Sequence, residues 1–273
     1  MQSKINLFDQ DISNEKGFVS PLILDETKAW ERVKDLVQHF PNENVELLPG
    51  VKWGNYAQLY TPAFWKMQYL LSNYSDEIYS HRLAPTILGE IIMCILGGYG
   101  IPSEIGIVAF NRLKENGSIK FGVSFNEIYE ALASPFLLGS GKQVRYRFYN
   151  QKSKYIYTFL NRHDINNIPV SNDLELRNWL LTVNGIGLKT ASWITRNWLK
   201  SDNVAILDIH LLRAGKLAGV FNIDNISSFD YLSLEEKYLA FCNALNVQAS
   251  NMDAIIWYYM KKNTKLAIKT LLA

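Results

Sequence analysis

The chain has 273 residues, 48% of them hydrophobic, and a formal net charge of only +2. That length buries a substantial core, as one large domain or two packed subdomains, and excludes a small scaffold that needs disulfide staples. The uninterrupted apolar runs, such as 91–96 and 254–260, are too short to span a bilayer, and Met1-Gln2-Ser3-Lys4 opens no apolar signal core.

Taken in order, Trp30, Val33, Leu36, Val37 and Phe40 have helical spacing that Pro41 ends. The stretch 45–60, with Pro49, Gly50 and Gly54, reads as loop or short strand. Helical patterns then follow over 63–74, 83–96 (closed by Gly97-Gly98), 104–113, 125–133, 151–160, 174–183, 189–200, 209–217, 235–245 and 252–261. With no alternating strand set, this is a mainly α protein. Cys94 and Cys242 lie far apart inside apolar runs and read as small buried hydrophobes, which fits a reducing compartment.

Charge is unevenly spread. Between Lys142 and Arg162 lie Lys142, Arg145, Arg147, Lys152, Lys154 and Arg162 with no acid among them, interleaved with Tyr146, Phe148, Tyr149, Tyr155 and Tyr157. This fits a face that meets phosphates, and equally a solvated helix surface with tyrosines inside. Gly139-Ser140-Gly141-Lys142 is not a P-loop, because Phe136 replaces the first glycine and Gln143 the Ser/Thr.

Asn172 followed by Glu175 opens a helix that ends at Asn184-Gly185-Ile186-Gly187, after which Leu188-Lys189-Thr190-Ala191 begins another. Both glycines can take positive φ, and a tight turn there exposes backbone amides suited to a phosphate oxygen. Taken alone, Gly185 and Gly187 equally fit an ordinary glycine-capped corner. Lys189 falls in the first turn, where the positive end of the helix dipole works against an ammonium and favours a nucleophilic amine.

An apolar run, Val204 to Leu207, then ends in Asp208, placed to cap the next helix. A helix over 189–200 rises about 16–18 Å, and seven linking residues reach back about 23–25 Å if extended. Asp208 can therefore return beside Lys189, where a carboxylate would stabilise positive charge on a sugar that is losing its base. Near the C-terminus, Asp253 and Trp257 are four apart on one helix face. The carboxylate can accept from both N1–H and the amine of guanine while the indole stacks on the ring. The same pair also fits a helix start and a core tryptophan.

At these residues the chain resembles the helix-hairpin-helix DNA glycosylases. The run from Leu181 through Asn184-Gly185-Ile186-Gly187-Leu188-Lys189 to Ala191 is similar to their hairpin, with the lysine of the bifunctional members. Leu207-Asp208-Ile209-His210 is similar to the loop that bears their aspartate, and the separation of 19 residues suits the 8-oxoguanine branch. Arg147 to Ile156 resembles the segment opening the helix before the hairpin unit. The loop before Asp208 lacks the family's Gly and Pro, which leaves its path open. Two cysteines fall short of the four that hold the iron-sulfur cluster of some relatives.

The resemblance implies a mainly α glycosylase architecture, with two helical subdomains and the active site in the cleft between them. The expected parts are 1–84, packing with the C-terminal helices, 85–205, containing the hairpin, and 206–273, carrying the aspartate loop and last helices. It implies excision of 8-oxoguanine by Lys189 through a Schiff base, Asp208 as partnering carboxylate, and AP lyase activity. Gly185, Gly187, His210, Arg147 and Lys152 would hold phosphates, and Asp253 with Trp257 would form the base pocket. No metal, cofactor or iron-sulfur cluster is expected. The partner is double-stranded DNA with a damaged base, with no membrane, and the protein is expected as an intracellular monomer, nucleoid-associated in the cytoplasm or nuclear. A glycosylase for another modified base and a non-catalytic hairpin DNA-binding protein remain open.

Overall fold

The structure is a computed structural model that describes residues 26–72, 82–98, 100–227 and 229–272. The readings at Met1–Lys4 and at the last two residues of the 63–74 helix lie outside the described residues. The described residues divide into two compact units, one within 82–194 and the other within 26–72 and 195–272. The expected borders stood at 84/85 and 205/206. Among the described residues no helix is long and apolar enough to cross a membrane.

The unit over 82–194 is built from α3 (Ile87–Leu96), α4 (Ser103–Glu115), α5 (Phe125–Ala133), a hairpin of β3 (Phe136–Leu137) with β4 (Gln143–Val144), α6 (Tyr149–Leu160), α7 (Asp173–Leu180) and the start of α8 (Leu188–Leu199). α3 is its apolar centre: Ile91, Ile92, Ile95 and Leu96 are fully buried, and α4 and α6 pack on it. Thr86 caps α3 through the Gly89 amide at 3.1 Å, and Ser124 with Glu127 forms a capping box that sets the start of α5. The two-residue strands were not expected. Arg112 fixes their base, its guanidinium 3.8 Å from the Phe136 ring centroid and donating to the carbonyls of Ala131, Ser134 and Pro135.

The other unit holds α1 (Glu26–Val37), a hairpin of β1 (Glu46–Leu48) with β2 (Val51–Lys52), α2 (Pro62–Leu71), the rest of α8, α9 (Ile209–Leu217), α10 (Tyr231–Ala244), α11 (Ala249–Lys262) and α12 (Thr264–Leu272). α11 runs through its middle, with α2, α9 and α10 against it. Tyr60, Phe64, Trp65 and Tyr259 make an aromatic cluster with centroids 5.1–6.2 Å apart, edge-to-face in every pair but the tilted Tyr60–Trp65, the arrangement that ring quadrupoles favour. Cys94 and Cys242 are both buried free thiols.

Candidate active site

The hairpin forms as its sequence dictates. Asn172 Oδ1 accepts the Glu175 amide at 3.0 Å and starts α7. Trp179 donates to Asp164 at 2.8 Å, and Arg162 bridges Asp164 and the Thr182 carbonyl, pinning the chain just before the turn. Gly185 then takes φ +89°, and a Cβ there would stand 2.5 Å from Tyr155 Cδ2 of α6. Gly187 does not adopt positive φ and has open space where a Cβ would lie. Of the two glycines able to take positive φ, Gly185 is the one whose backbone conformation uses that freedom.

Immediately after, Lys189 stands half-buried in the first turn of α8, where helix geometry leaves amides without intrahelical acceptors. Arg147 is exposed with its guanidinium 5.1 Å from the Phe148 ring centroid. Lys152 is half-buried, its amine 3.5 Å from the Gly97 carbonyl, and burial pulls its pKa below the ordinary lysine value.

In the second unit, Asp208 is the N-cap of α9. Its Oδ1 accepts the amides of His210 and Leu211 at 2.8 and 2.9 Å, so one oxygen satisfies two orphan donors while the half-buried carboxylate keeps Oδ2 for other work. The path that the missing Gly and Pro left open is an extended, buried segment, with Val204, Ala205, Ile206 and Leu207 all at most 5% exposed. Side chains of α10 meet its backbone groups. Glu235 accepts the Ala205 amide at 2.8 Å, and the Tyr231 hydroxyl takes the Leu207 amide at 3.2 Å while donating to the Ala205 carbonyl at 2.8 Å.

Within the same unit, the His210 ring is buried edge-on to Trp257 at 6.3 Å between centroids, and Lys261 lies 4.5 Å from the Trp257 ring centroid. Asp253, one turn before Trp257 on α11, is buried with Oδ2 3.8 Å from Arg196 Nε. The structure thus groups Asp208, His210, Trp257 and Asp253 in one unit, and Gly185, Gly187, Lys189, Arg147 and Lys152 in the other. Sequence reasoning missed Arg196, Tyr231 and Glu235. The available signal was a charged residue inside an apolar helical stripe, Arg196 beside Ile194 and Trp193.

The family model described as 8-oxoguanine DNA glycosylase matches residues 72–247, a stretch that includes both Lys189 and Asp208. An 8-oxoguanine DNA glycosylase/AP lyase of Saccharolobus islandicus is 34% identical over 138 residues, covering 47% of this chain and 64% of that protein. The protein of the same description from Metallosphaera sedula is 32% identical over 183 residues, 65% of this chain and 82% of the relative. A crystal structure of Methanocaldococcus jannaschii 8-oxoguanine glycosylase/lyase with a 15mer DNA containing 8-oxoguanine is 23% identical, covers 86% of this chain and 97% of that one, and has a TM-score of 0.45. With more than half of its length matched by that family model, this mainly helical chain belongs to the helix-hairpin-helix 8-oxoguanine DNA glycosylase family.

Proposed function

We propose that this protein excises 8-oxoguanine from double-stranded DNA and then nicks the strand at the emptied sugar. The observation that carries this reading is Lys189 in the first turn of α8, four residues after the positive-φ Gly185, in a chain of this family. A base inside the duplex is unreachable, so the target nucleotide is flipped out at a cost of about a few kcal/mol. The Lys189 amine attacks C1′, the glycosidic bond to N9 breaks, and the base leaves with a proton. The C1′–O4′ bond then opens as O4′ takes the amine's remaining proton, leaving a C1′=N Schiff base, and β-elimination follows as C2′ loses a proton, the C3′–O bond breaks and the 3′ phosphate departs. Asp208, the N-cap of α9, stabilises the positive charge that develops on the sugar.

Gly185, Gly187, Arg147, Lys152 and His210 grip the strand, and Asp253 with Trp257 reads the guanine. The same reading keeps the protein inside the cell with the genome and acting as a monomer.

Borohydride trapping tests this. The native chain is expected to form a covalent adduct with a duplex bearing a single 8-oxoguanine. Lys189→Gln should abolish the adduct, and Asp208→Asn should slow base release on the order of a hundredfold. An adduct that survives in Lys189→Gln overturns the nucleophile assignment. Trapping on a different lesion alone would favour the glycosylase for another modified base, and DNA binding with no adduct on any lesion would leave only a gripping hairpin.

A further inference from the structure

Three elements send side chains to the first turn of α11. Asp202 Oδ1 accepts the Ser250 amide at 2.8 Å, the Tyr238 hydroxyl of α10 donates to the Ala249 carbonyl at 3.0 Å, and Arg196 Nη2 of α8 donates to the Ser250 carbonyl at 2.6 Å. Arg196 also donates from Nη1 to Asn197 Oδ1 at 3.1 Å. Its third nitrogen, Nε, is the one 3.8 Å from Asp253 Oδ2, and the two side chains are 6% and 9% exposed. One planar guanidinium therefore ties the helix backbone and faces the carboxylate at once, which a lysine ammonium on its flexible stem cannot do.

Stability alone is a poor reason for this pair. Removing two charges from water costs several kcal/mol per ion, and well-packed apolar residues often serve a fold as well or better. Tyr238, Cys242 and Asp202 are titratable groups near this pair. Burial pushes the Tyr238 hydroxyl and the Cys242 thiol well above their ordinary values, so both are neutral, and Asp202 near Cys242 is itself an acid.

We propose that Arg196 is a positioning residue for base recognition, holding the start of α11 and keeping Asp253 in the orientation and charge state that read guanine. This rests on the reading of Asp253 as the base-pocket carboxylate. Ionised, Asp253 accepts from N1–H and from the exocyclic amine; protonated, it would set a donor against one of them. Loss of the guanidinium would remove both the positive charge beside Asp253 and the tie to the Ser250 carbonyl at the start of α11.

The test uses the full chain with Arg196→Met, Arg196→Lys and Asp253→Asn. Single-turnover release of 8-oxoguanine is followed from pH 5 to 9, beside cleavage at a preformed abasic site, which needs no base in the pocket. Arg196→Met is expected to slow base release on the order of a hundredfold, to move the acid limb of its pH profile upward, and to leave abasic-site cleavage within about threefold. Arg196→Lys, which keeps the charge and loses the fork, should slow release less and leave the limb near its native position; it carries the test if the methionine variant does not fold.

Equal loss of base release and abasic-site cleavage in Arg196→Met and Arg196→Lys would reduce Arg196 to a structural anchor and overturn the proposal. So would native rates and an unmoved limb in Arg196→Met while Asp253→Asn loses base release, an outcome that leaves the base pocket standing. Native base release in Asp253→Asn sinks the pocket reading and this inference together.

Discussion

Glu90 is fully buried on α3 with Oε2 accepting the amides of Leu83 and Ala84 at 2.6 and 2.9 Å. Burial raises its pKa to about 7, against the opposing pull of those two amides, the Arg82 charge and the Trp193 indole. The folded chain thus binds this proton more tightly than the unfolded one, whose carboxyl keeps its ordinary value of 4.5. Stability from this group is complete below that value, falls as the pH climbs toward 7, and is flat above. The shift corresponds to roughly 3 kcal/mol. Denaturant titrations from pH 4 to 8 should show that slope in the native protein and lose it in Glu90→Gln; an unchanged slope in the variant would assign the pH dependence elsewhere. A charged residue in an apolar helix is visible in the sequence, but its titration is not, since it depends on contacts from residues 83–84 and 193.

Helix boundaries were most legible where a side chain fixes them. The starts of α5 and α9 fall where expected because Ser124 and Asp208 accept the amides that open those helices. The strands β3 and β4 and the last helix α12 escaped notice. Two-residue strands have no periodicity to detect, and nine residues after Asn263 present a short apolar pattern in which Leu266, Ile268 and Leu272 remain exposed.

At the turn between α7 and α8 the residue types announced a hairpin without revealing which glycine it needs. Gly185→Ala should cost about 1–2 kcal/mol for its left-handed backbone and more for displacing the Tyr155 ring. Adding Tyr155→Ala to Gly185→Ala should relieve the ring clash while the backbone cost persists. Thermal melts of the single and double variants measure the difference. Gly187→Ala, with open space around it, should melt close to the native protein.

At the scale of the whole molecule, the near-zero net charge hides a segregated distribution, and the acid-free run 142–162 is where phosphate binding would register. Lys142, Arg145, Arg147 and Lys154 are exposed there, whereas Arg162 is paired with Asp164. If Arg147 meets a phosphate, Arg147→Met should lower the slope of log affinity against log salt by about 1. Lys152→Met should change that slope less, because its amine faces the Gly97 carbonyl. Equal slopes for Arg147→Met and the native chain would remove Arg147 from the contact set. The mainly helical fold class could be read from local spacing, and so could the candidate site residues as residue types at given positions. The support around them could not: Arg196 meets Ser250 and Asp253, and Glu235 meets Ala205, across gaps that no periodicity spans.

The buried segment before Asp208 gives that residue an uncommon kind of stiffness. A stretch with no helix or ladder of its own would ordinarily breathe on its own clock, yet the Ala205 and Leu207 amides are held by side chains of α10. Their solvent exchange, followed by amide hydrogen exchange, is expected to track the opening of that core helix and not local fraying. The acid at the end of this segment is thereby anchored to the core of its unit, and its place does not depend on the motions of a free loop.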